Sequence, residues 1–400
     1  MRKRTAGPAR IALALAGGGP LGAIYEIGAL CAMQEAFDGI SLHALDHYVG
    51  VSAGSFIAAA LANGITPHEL CASFIENKGT GDDFDPAWLT VPAYGEFLRR
   101  AAMVPALAAS AAWRATVGGK PLSHSFERLG QGLPTGIFTN EEVHRRLQRV
   151  FSRPGRTNDF RQLRCRLTVV ATNLDSGDAA PFGRPGWDEV PISRAVQASS
   201  ALPGLFPPVR IGGEWFVDGA LKKTLHATVA LDEGVDLLLC LNPLVPFDTT
   251  SAQDEPVPRV VDGGLPAVLS QTFRSMIHSR LELGMKHYER AYPGTDIVLV
   301  EPDQRDPHLY LANTFSYRQR RELAEHAYQQ TRAMLRERAA ALAPRLARHG
   351  IVLREDVLAR ESQLVGRRPR RSRLGEACSS LELAMDRLAR SLEAAAARAA

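Results

Sequence analysis

Short apolar runs alternate with segments of helical periodicity over most of the chain. Mainly apolar stretches of four to seven residues are typical of strands buried on both faces of a parallel sheet. Such runs predict strands at 11–16, 46–51, 166–171, 235–241 and 297–300, and a shorter one at 214–217. Apolar residues three and four positions apart predict helices at 23–37, 53–63, 137–151, 192–199 and 265–291. The pattern predicts an α/β fold with a mainly parallel sheet.

The first two predicted strands carry the most informative loops. Residues 11–16 run into Gly17, Gly18 and Gly19, with Gly22 close behind, and residues 46–51 run into Ser52. A strand–helix–strand crossover is right-handed and makes its two strands parallel. Both loops therefore lie at the same edge of the sheet, at the carboxyl ends of the strands where open α/β sheets bind ligands.

The segment from Gly50 to Gly54 has the form of a nucleophile elbow, G-x-S-x-G, with Ser52 at its centre. A sharp strand-to-helix turn holds the central residue in strained backbone geometry and requires small neighbours two positions away. Ser52 is therefore a candidate nucleophile at the start of a helix, where the helix dipole favours developing negative charge.

The glycine loop is a candidate oxyanion hole. Its consecutive glycines let backbone N–H groups point into a site without side-chain obstruction. The loop also fits the dinucleotide motif G-x-G-x-x-G, which requires an acidic residue near the end of the second strand. That position holds the Ser52 elbow, and Asp46 lies at the opposite end of the strand, so the dinucleotide hypothesis is rejected.

A serine nucleophile needs a base. Asp218 follows the short apolar strand at 214–217 and precedes Gly219, which permits a tight turn and close approach. A Ser-His-acid triad is the alternative. The histidines that remain open for that role are His226, His278, His287 and His308.

These motifs, in this order, resemble those of the patatin-like phospholipases over about residues 10–245. The resemblance rests on the glycine loop, the Ser52 elbow, Ala198-Ser199-Ser200-Ala201 with the prolines that follow, and Asp218-Gly219-Ala220. It implies a three-layer α/β/α fold and a Ser52–Asp218 dyad without histidine, metal or cofactor. It also implies an oxyanion hole at Gly17, Gly18, Gly19 and Gly22, aided by Ala53, and hydrolysis of lipid acyl esters through an acyl-enzyme. One departure is Leu21, where the family usually carries Lys or Arg.

Composition sets the expected surroundings. The net charge of +4 is only mildly basic, and part of the excess lies in the run at 367–373. Five dispersed cysteines without a C-x-x-C pair suit a reducing compartment and argue against zinc. No signal peptide or membrane-spanning segment is expected. We expect a cytoplasmic protein, peripheral at a membrane where its lipid substrate lies, with no nucleic-acid partner and an oligomeric state left open.

The expected domain organisation is one hydrolase domain at 10–315 after a basic lead at 1–9. Residues 64–140 are expected to form a helical insertion or lid, in which 101–117 is either a helix buried against the domain or a membrane-touching one. A helical extension at 316–361, a basic linker at 362–376 and a final helix at 377–400 follow. Two functional alternatives stay open: a non-catalytic lipid- or partner-binding protein of the same fold, and a small-ester or thioester hydrolase.

Overall fold

The computed structural model describes residues 8–78, 89–116, 132–248, 259–308 and 319–366. The chain divides into two compact units, residues 1–364 and 365–400, and all elements named below belong to the first. The basic run at 367–373, most of the predicted linker and the predicted helix at 377–400 lie outside the described residues.

The described residues contain ten strands, eight of them in one sheet. They are β1 (Ile11–Leu15), β2 (Phe37–Asp38), β3 (His47–Val51), β4 (Arg166–Asn173), β5 (Ala179–Phe182), β6 (Val209–Ile211), β7 (Glu214–Asp218), β8 (Leu237–Leu241), β9 (Asp296–Val300) and β10 (Val352–Leu353). The sheet order is β6-β7-β4-β3-β1-β8-β9, with β5 also pairing with β4. Neighbours from β4 to β9 are parallel, whereas β5 and β7 run antiparallel to β4. The predicted mainly parallel α/β sheet is confirmed.

Helices surround the sheet. They are α1 (Gly19–Ala36), α2 (Ala53–Ala62), α3 (Pro67–Leu70), α4 (Tyr94–Thr116), α5 (Glu141–Phe151), α6 (Ile192–Ser199), α7 (Thr228–Leu231), α8 (Gly264–Ala291), α9 (Arg320–Glu337), α10 (Ala339–Ala347) and α11 (Glu355–Ala359). A π-helix, Cys71–Ile75, continues α3. The first helix begins four residues before the predicted start at 23, because proline and glycine are both tolerated in a first turn, where N–H groups have no helical partner.

Two cores lie on opposite faces of the sheet. Alternate residues of the central strands, including Ala14, Val49 and Cys240, pack with α7 and the second half of α8. On the other face, a Cβ at Gly50 would meet Ser55 and Ala58 of α2, so α2 covers this side. The strands β1, β3 and β8 are buried at every position, which explains why their sequences are apolar without alternation except at His47.

The helical extension after residue 316 belongs to the same unit as the sheet. Helix α9 packs along α1, and a Cβ at Gly28 would lie 2.5 Å from the carbonyl oxygen of Ala324. Only glycine allows two helix backbones to approach this closely. The short strand β10 pairs with β2, which follows α1 directly. The extension therefore covers α1 and buries it almost completely.

The region between α2 and α5 contains the segment 101–117, for which a buried and a membrane-touching helix are the two alternatives. Helix α4 forms there, but its described side chains between 101 and 110 are mostly exposed. Leu98 and Trp113 are 72% and 68% exposed. Of the two alternatives for this segment, the exposed side chains do not favour burial against the domain, and contact with a membrane stays a prediction. The ranges 79–88 and 117–131 of the predicted insertion lie outside them.

Candidate active site

Strand β4 brings the elbow and the predicted base together. Val170 pairs with Val51 on one side and Pro181 on the other, and the next residue, Ala171, pairs with Asp218 and with Ala180. Because β5 occupies one side of β4 at both positions, β3 and β7 share the other side. Strand β7 thus continues where β3 ends. Asp218 therefore meets the residue that follows Val51, which is Ser52.

Ser52 occupies the strained turn that its motif predicts. Its φ is +51° and its ψ −124°, a backbone conformation that residues other than glycine rarely adopt. A Cβ at Gly54 would lie 2.4 Å from the carbonyl oxygen of Ala16, and one at Gly50 would lie 2.4 Å from the Cα of Ser55. Both elbow glycines are therefore required for the close packing of α2 against β1 and β3.

Ser52 and Asp218 form a direct hydrogen bond. The Oγ of Ser52 donates to Oδ2 of Asp218 at 2.6 Å, and the backbone N–H of Ala220 donates to Oδ1 at 2.9 Å. Asp218 is 2% exposed, and burial raises its pKa from 3.8 to about 6, although both hydrogen bonds act in the opposite direction. A carboxylate of this pKa is a stronger base than an exposed aspartate and is still ionised at neutral pH.

The glycine loop lies against Ser52. A Cβ at Gly17 would be 3.0 Å from the Cβ of Ser52 and 3.6 Å from its Oγ. Gly18 precedes α1 with a φ of 171° and a ψ of 7°, and Gly19 has a φ of +60°. The N–H groups of Gly18 and Gly19 have no hydrogen-bond partner among the described residues. They are free to bind an anionic oxygen.

Gly22 differs from the other loop glycines. Its N–H donates to the carbonyl oxygen of Gly18 at 3.0 Å, so it is already used in the first turn of α1. A Cβ on Gly22 would lie 3.0 Å from Cγ of Pro243, and one on Gly18 would lie 2.8 Å from the same atom. Gly22 therefore allows close packing against Pro243 but offers no free N–H group to an oxyanion.

Ser199 and Ser200 lie near the elbow, and the sequence assigns neither of them an individual role. The backbone N–H of Ser52 donates to Oγ of Ser199 at 2.8 Å, and that hydroxyl donates to the carbonyl oxygen of Val170 at 2.6 Å. Ser200 Oγ lies 3.3 Å from the carbonyl oxygen of Ser52. The elbow's available donor is consequently the N–H of Ala53, which has no partner among the described residues.

The four alternative histidines make other contacts. Within the described ranges, no histidine hydrogen-bonds Ser52 or Asp218. His226 is the nearest along the chain; its Nε2 lies 3.2 Å from the carbonyl oxygen of Gly219, and burial lowers its pKa to about 4. His278 contacts Gln304, and the ring of His287 packs against Tyr288.

One cluster of metal-ligand types lies outside this site. Asp306, His308 and His326 place one ligand atom each within 4.8 Å of one another. Both oxygens of Asp306 already accept hydrogen bonds, from the two histidines and from Gln330. The cluster connects the loop after β9 to α9, and the hydrogen bonds account for its arrangement without an ion.

Comparison with known proteins supplies the family evidence. A family model described as "Patatin-like phospholipase" matches residues 13–231, more than half of the chain. An uncharacterized NTE family protein of Mycobacterium tuberculosis (strain CDC 1551 / Oshkosh) is 25% identical over 242 residues. The aligned region is 60% of this chain and 31% of that relative, so the chain spans less than a third of the relative's length.

Two solved structures are similar at 17% identity. They are VipD from Legionella pneumophila, with a TM-score of 0.36, and the type III effector protein ExoU, with a TM-score of 0.32. The alignments cover 82% of this chain and 67% of VipD, and 83% of this chain and 53% of ExoU. Within the described ranges, none of the helices combines the length and hydrophobicity that a membrane crossing requires.

Proposed function

The chain belongs to the patatin-like phospholipase family, and we propose that it is a lipid acyl hydrolase in which Ser52 is the nucleophile and Asp218 its base. The observation that carries this proposal is the 2.6 Å hydrogen bond from Ser52 Oγ to a buried carboxylate with a raised pKa. It lies beside unpaired N–H groups of the glycine loop. Nucleophile, base and oxyanion donors are the three parts that acyl transfer needs.

In the proposed acylation step, Ser52 Oγ attacks the ester carbonyl while Asp218 Oδ2 accepts its proton. The carbonyl oxygen becomes an oxyanion held by the N–H groups of Gly18, Gly19 and Ala53. Collapse of the tetrahedral intermediate breaks the bond to the alcohol, which leaves with the proton from Asp218. Asp218 then takes a proton from water, the hydroxide formed attacks the acyl-enzyme, and Ser52 leaves with that proton as the fatty acid is released.

Leu21 bears on the choice of substrate. It is 5% exposed, at the third position of α1, and therefore adds an apolar side chain to the core and no charge to the loop. In this proposal the oxyanion is stabilised by backbone N–H groups and the positive ends of the α1 and α2 dipoles, without a side-chain cation from Leu21. A family member with Lys or Arg at this position would have an additional charge for an anionic head group.

A fluorophosphonate probe tests the proposal directly, because it phosphonylates only an activated serine. We expect wild-type protein to be labelled at Ser52 and to release fatty acid from phospholipid. Ser52→Ala should abolish both, and Asp218→Asn should lower kcat by about 10²–10⁴-fold, the range typical of general-base removal. Circular dichroism checks that both variants fold. Wild-type protein that is folded, unlabelled and inactive on lipid, lysolipid and short esters would instead support the non-catalytic binding alternative.

A further inference from the structure

The first half of α8 has its polar and apolar sides reversed. Its solvent side carries five large apolar residues over three turns, and Leu265 at its start is 70% exposed. This apolar face of α8 consists of Leu265, Val268, Leu269, Phe273 and Met276. Residues at these spacings form one stripe of a helix, which in a surface helix normally faces the core.

The opposite side of the same turns is polar and points to the protein. The side-chain amide of Gln271 forms two hydrogen bonds with the backbone of Phe247, and Arg274 donates to the carbonyl oxygen of Val245 at 3.3 Å. In the second half of the helix the ordinary arrangement returns, and Leu281 and Tyr288 are buried in the core. The apolar face is therefore held outward by polar contacts on its inner side.

The helix is attached to both segments that border the candidate active site. Phe247 belongs to the segment that follows β8, in which Pro243 packs on the glycine loop. Arg280 donates to the carbonyl oxygen of Leu221, and Thr224 donates to that of Ile277. Leu221 and Thr224 follow Asp218 within one short segment. The apolar face is consequently carried by an element fixed to both sides of the site.

We infer that the apolar face of α8 docks on a lipid surface and brings the candidate active site to its substrate. This inference rests on the proposed function, since an acyl lipid presents its ester at the boundary between head groups and hydrocarbon. Charge supports the choice of a membrane over a protein partner. Residues 259–291 carry five basic and three acidic side chains, with Arg280, Lys286 and Arg290 exposed beyond the apolar turns. Apolar insertion flanked by cations is how amphipathic helices bind anionic bilayers.

Vesicle sedimentation tests the docking surface. The full chain with Ser52→Ala, which cannot consume the lipid, is mixed with phosphatidylcholine vesicles containing about 30% phosphatidylglycerol, a composition that supplies the anionic surface. We expect it to sediment, and Leu269→Glu with Phe273→Glu to lower the partition coefficient by at least about tenfold. Val352→Glu is the control. It changes an exposed apolar side chain (58%) on β10, outside α8, and binding should stay within about twofold.

Four outcomes would overturn the inference. The first is that the Ser52→Ala protein does not sediment, and the second is that the double variant binds vesicles as well as its parent. The third is that Trp113→Glu on α4 abolishes vesicle binding whereas the double variant does not. The fourth is that light scattering shows a dimer that the double variant dissociates. Probe labelling of Ser52 in the double variant, with wild-type serine, verifies an intact site. For the chain with an unaltered apolar face, labelling of Ser52 without vesicle binding of the Ser52→Ala protein refutes docking alone. Vesicle binding of the Ser52→Ala protein without labelling of the wild type refutes the proposed hydrolase alone.

Discussion

The backbone N–H of Ser52 donates a 2.8 Å hydrogen bond to the hydroxyl of Ser199, 147 positions further along the chain. The same hydroxyl donates to Val170 O, on the strand that pairs with both β3 and β7. Ser199 is fully buried, so no water can replace these contacts. It thereby holds the strained elbow against the strand that also positions Asp218.

Ser199→Ala should therefore affect both stability and catalysis. The variant leaves a buried N–H and a buried carbonyl without their partner, which costs about 1–3 kcal/mol of unfolding free energy. Because the nucleophile is less firmly oriented, we also expect kcat to fall by about tenfold. Ser200→Ala is the control, since its hydroxyl donates to the carbonyl oxygen of Val196 at 2.8 Å and lies only 3.3 Å from that of Ser52, and it makes no bond to the Ser52 N–H. Urea denaturation and ester turnover give the two values, and equal effects of the two substitutions would contradict this role.

Activity should depend on the ionisation of Asp218. A general base must be deprotonated to accept the Ser52 proton, and burial raises this pKa to about 6. We expect kcat/KM on a neutral ester to rise with pH and level off above about pH 6. Since the folded protein holds this proton more tightly than the unfolded chain, the contribution of Asp218 to stability falls as pH rises from about 4 to about 6. A flat profile across this range would exclude Asp218 as the base.

The elbow glycines should tolerate no side chain. In Gly54→Ala the new Cβ would lie 2.4 and 2.5 Å from the carbonyl oxygens of Ala16 and Leu15. Helix α2 would have to move away from β1, and we expect a loss of about 3 kcal/mol or more. Gly95→Ala, in the first turn of α4, meets no atom within 4 Å and should be neutral or stabilising by up to about 1 kcal/mol. Thermal unfolding distinguishes the two; a stable, active Gly54→Ala protein would refute the packing argument.

Glu26 is a buried carboxyl without a hydrogen-bond partner. It is fully buried in α1, both of its oxygens are unpaired among the described residues, and burial raises its pKa well above 4.5. Glu26→Met should therefore stabilise the protein by about 1–3 kcal/mol at pH 8. Above pH 4.5 the carboxyl of Glu26 ionises in the unfolded wild-type chain but stays protonated in the folded one, so the wild type loses stability as pH rises. The stability gained by Glu26→Met should therefore be largest at pH 8 and shrink towards pH 4.

Glu35→Met is the matched control for this substitution, on the same helix. Glu35 accepts hydrogen bonds from Tyr328 and Arg332, so its replacement should destabilise the protein. Denaturant titrations at pH 5 and pH 8 measure both variants. A Glu26→Met protein less stable than wild type at pH 8 would show that the carboxyl is stabilised in a way that these contacts do not reveal.

Local sequence determined the elements and the two loops at the sheet edge. Apolar runs without alternation identified the buried strands, and consecutive glycines and G-x-S-x-G identified the turns, because these patterns depend on contacts within a few residues. The order of the motifs also pointed to the family that the chain matches over residues 13–231. The same local reasoning left 101–117 open between a buried and a membrane-touching helix, since a row of apolar side chains does not reveal whether a partner element covers it.

Only the tertiary structure decided which distant residues meet. The contact between Ser52 and Asp218 depends on β3 and β7 sharing one side of β4, and this register is a property of three strands together. The role of Ser199 and the raised pKa of Asp218 follow from burial, which no single segment specifies. The outward apolar face of α8 likewise became visible only when its polar side was found bonded to the segment after β8. Periodicity defines a stripe on a helix, but the packing of neighbouring segments decides which way that stripe faces.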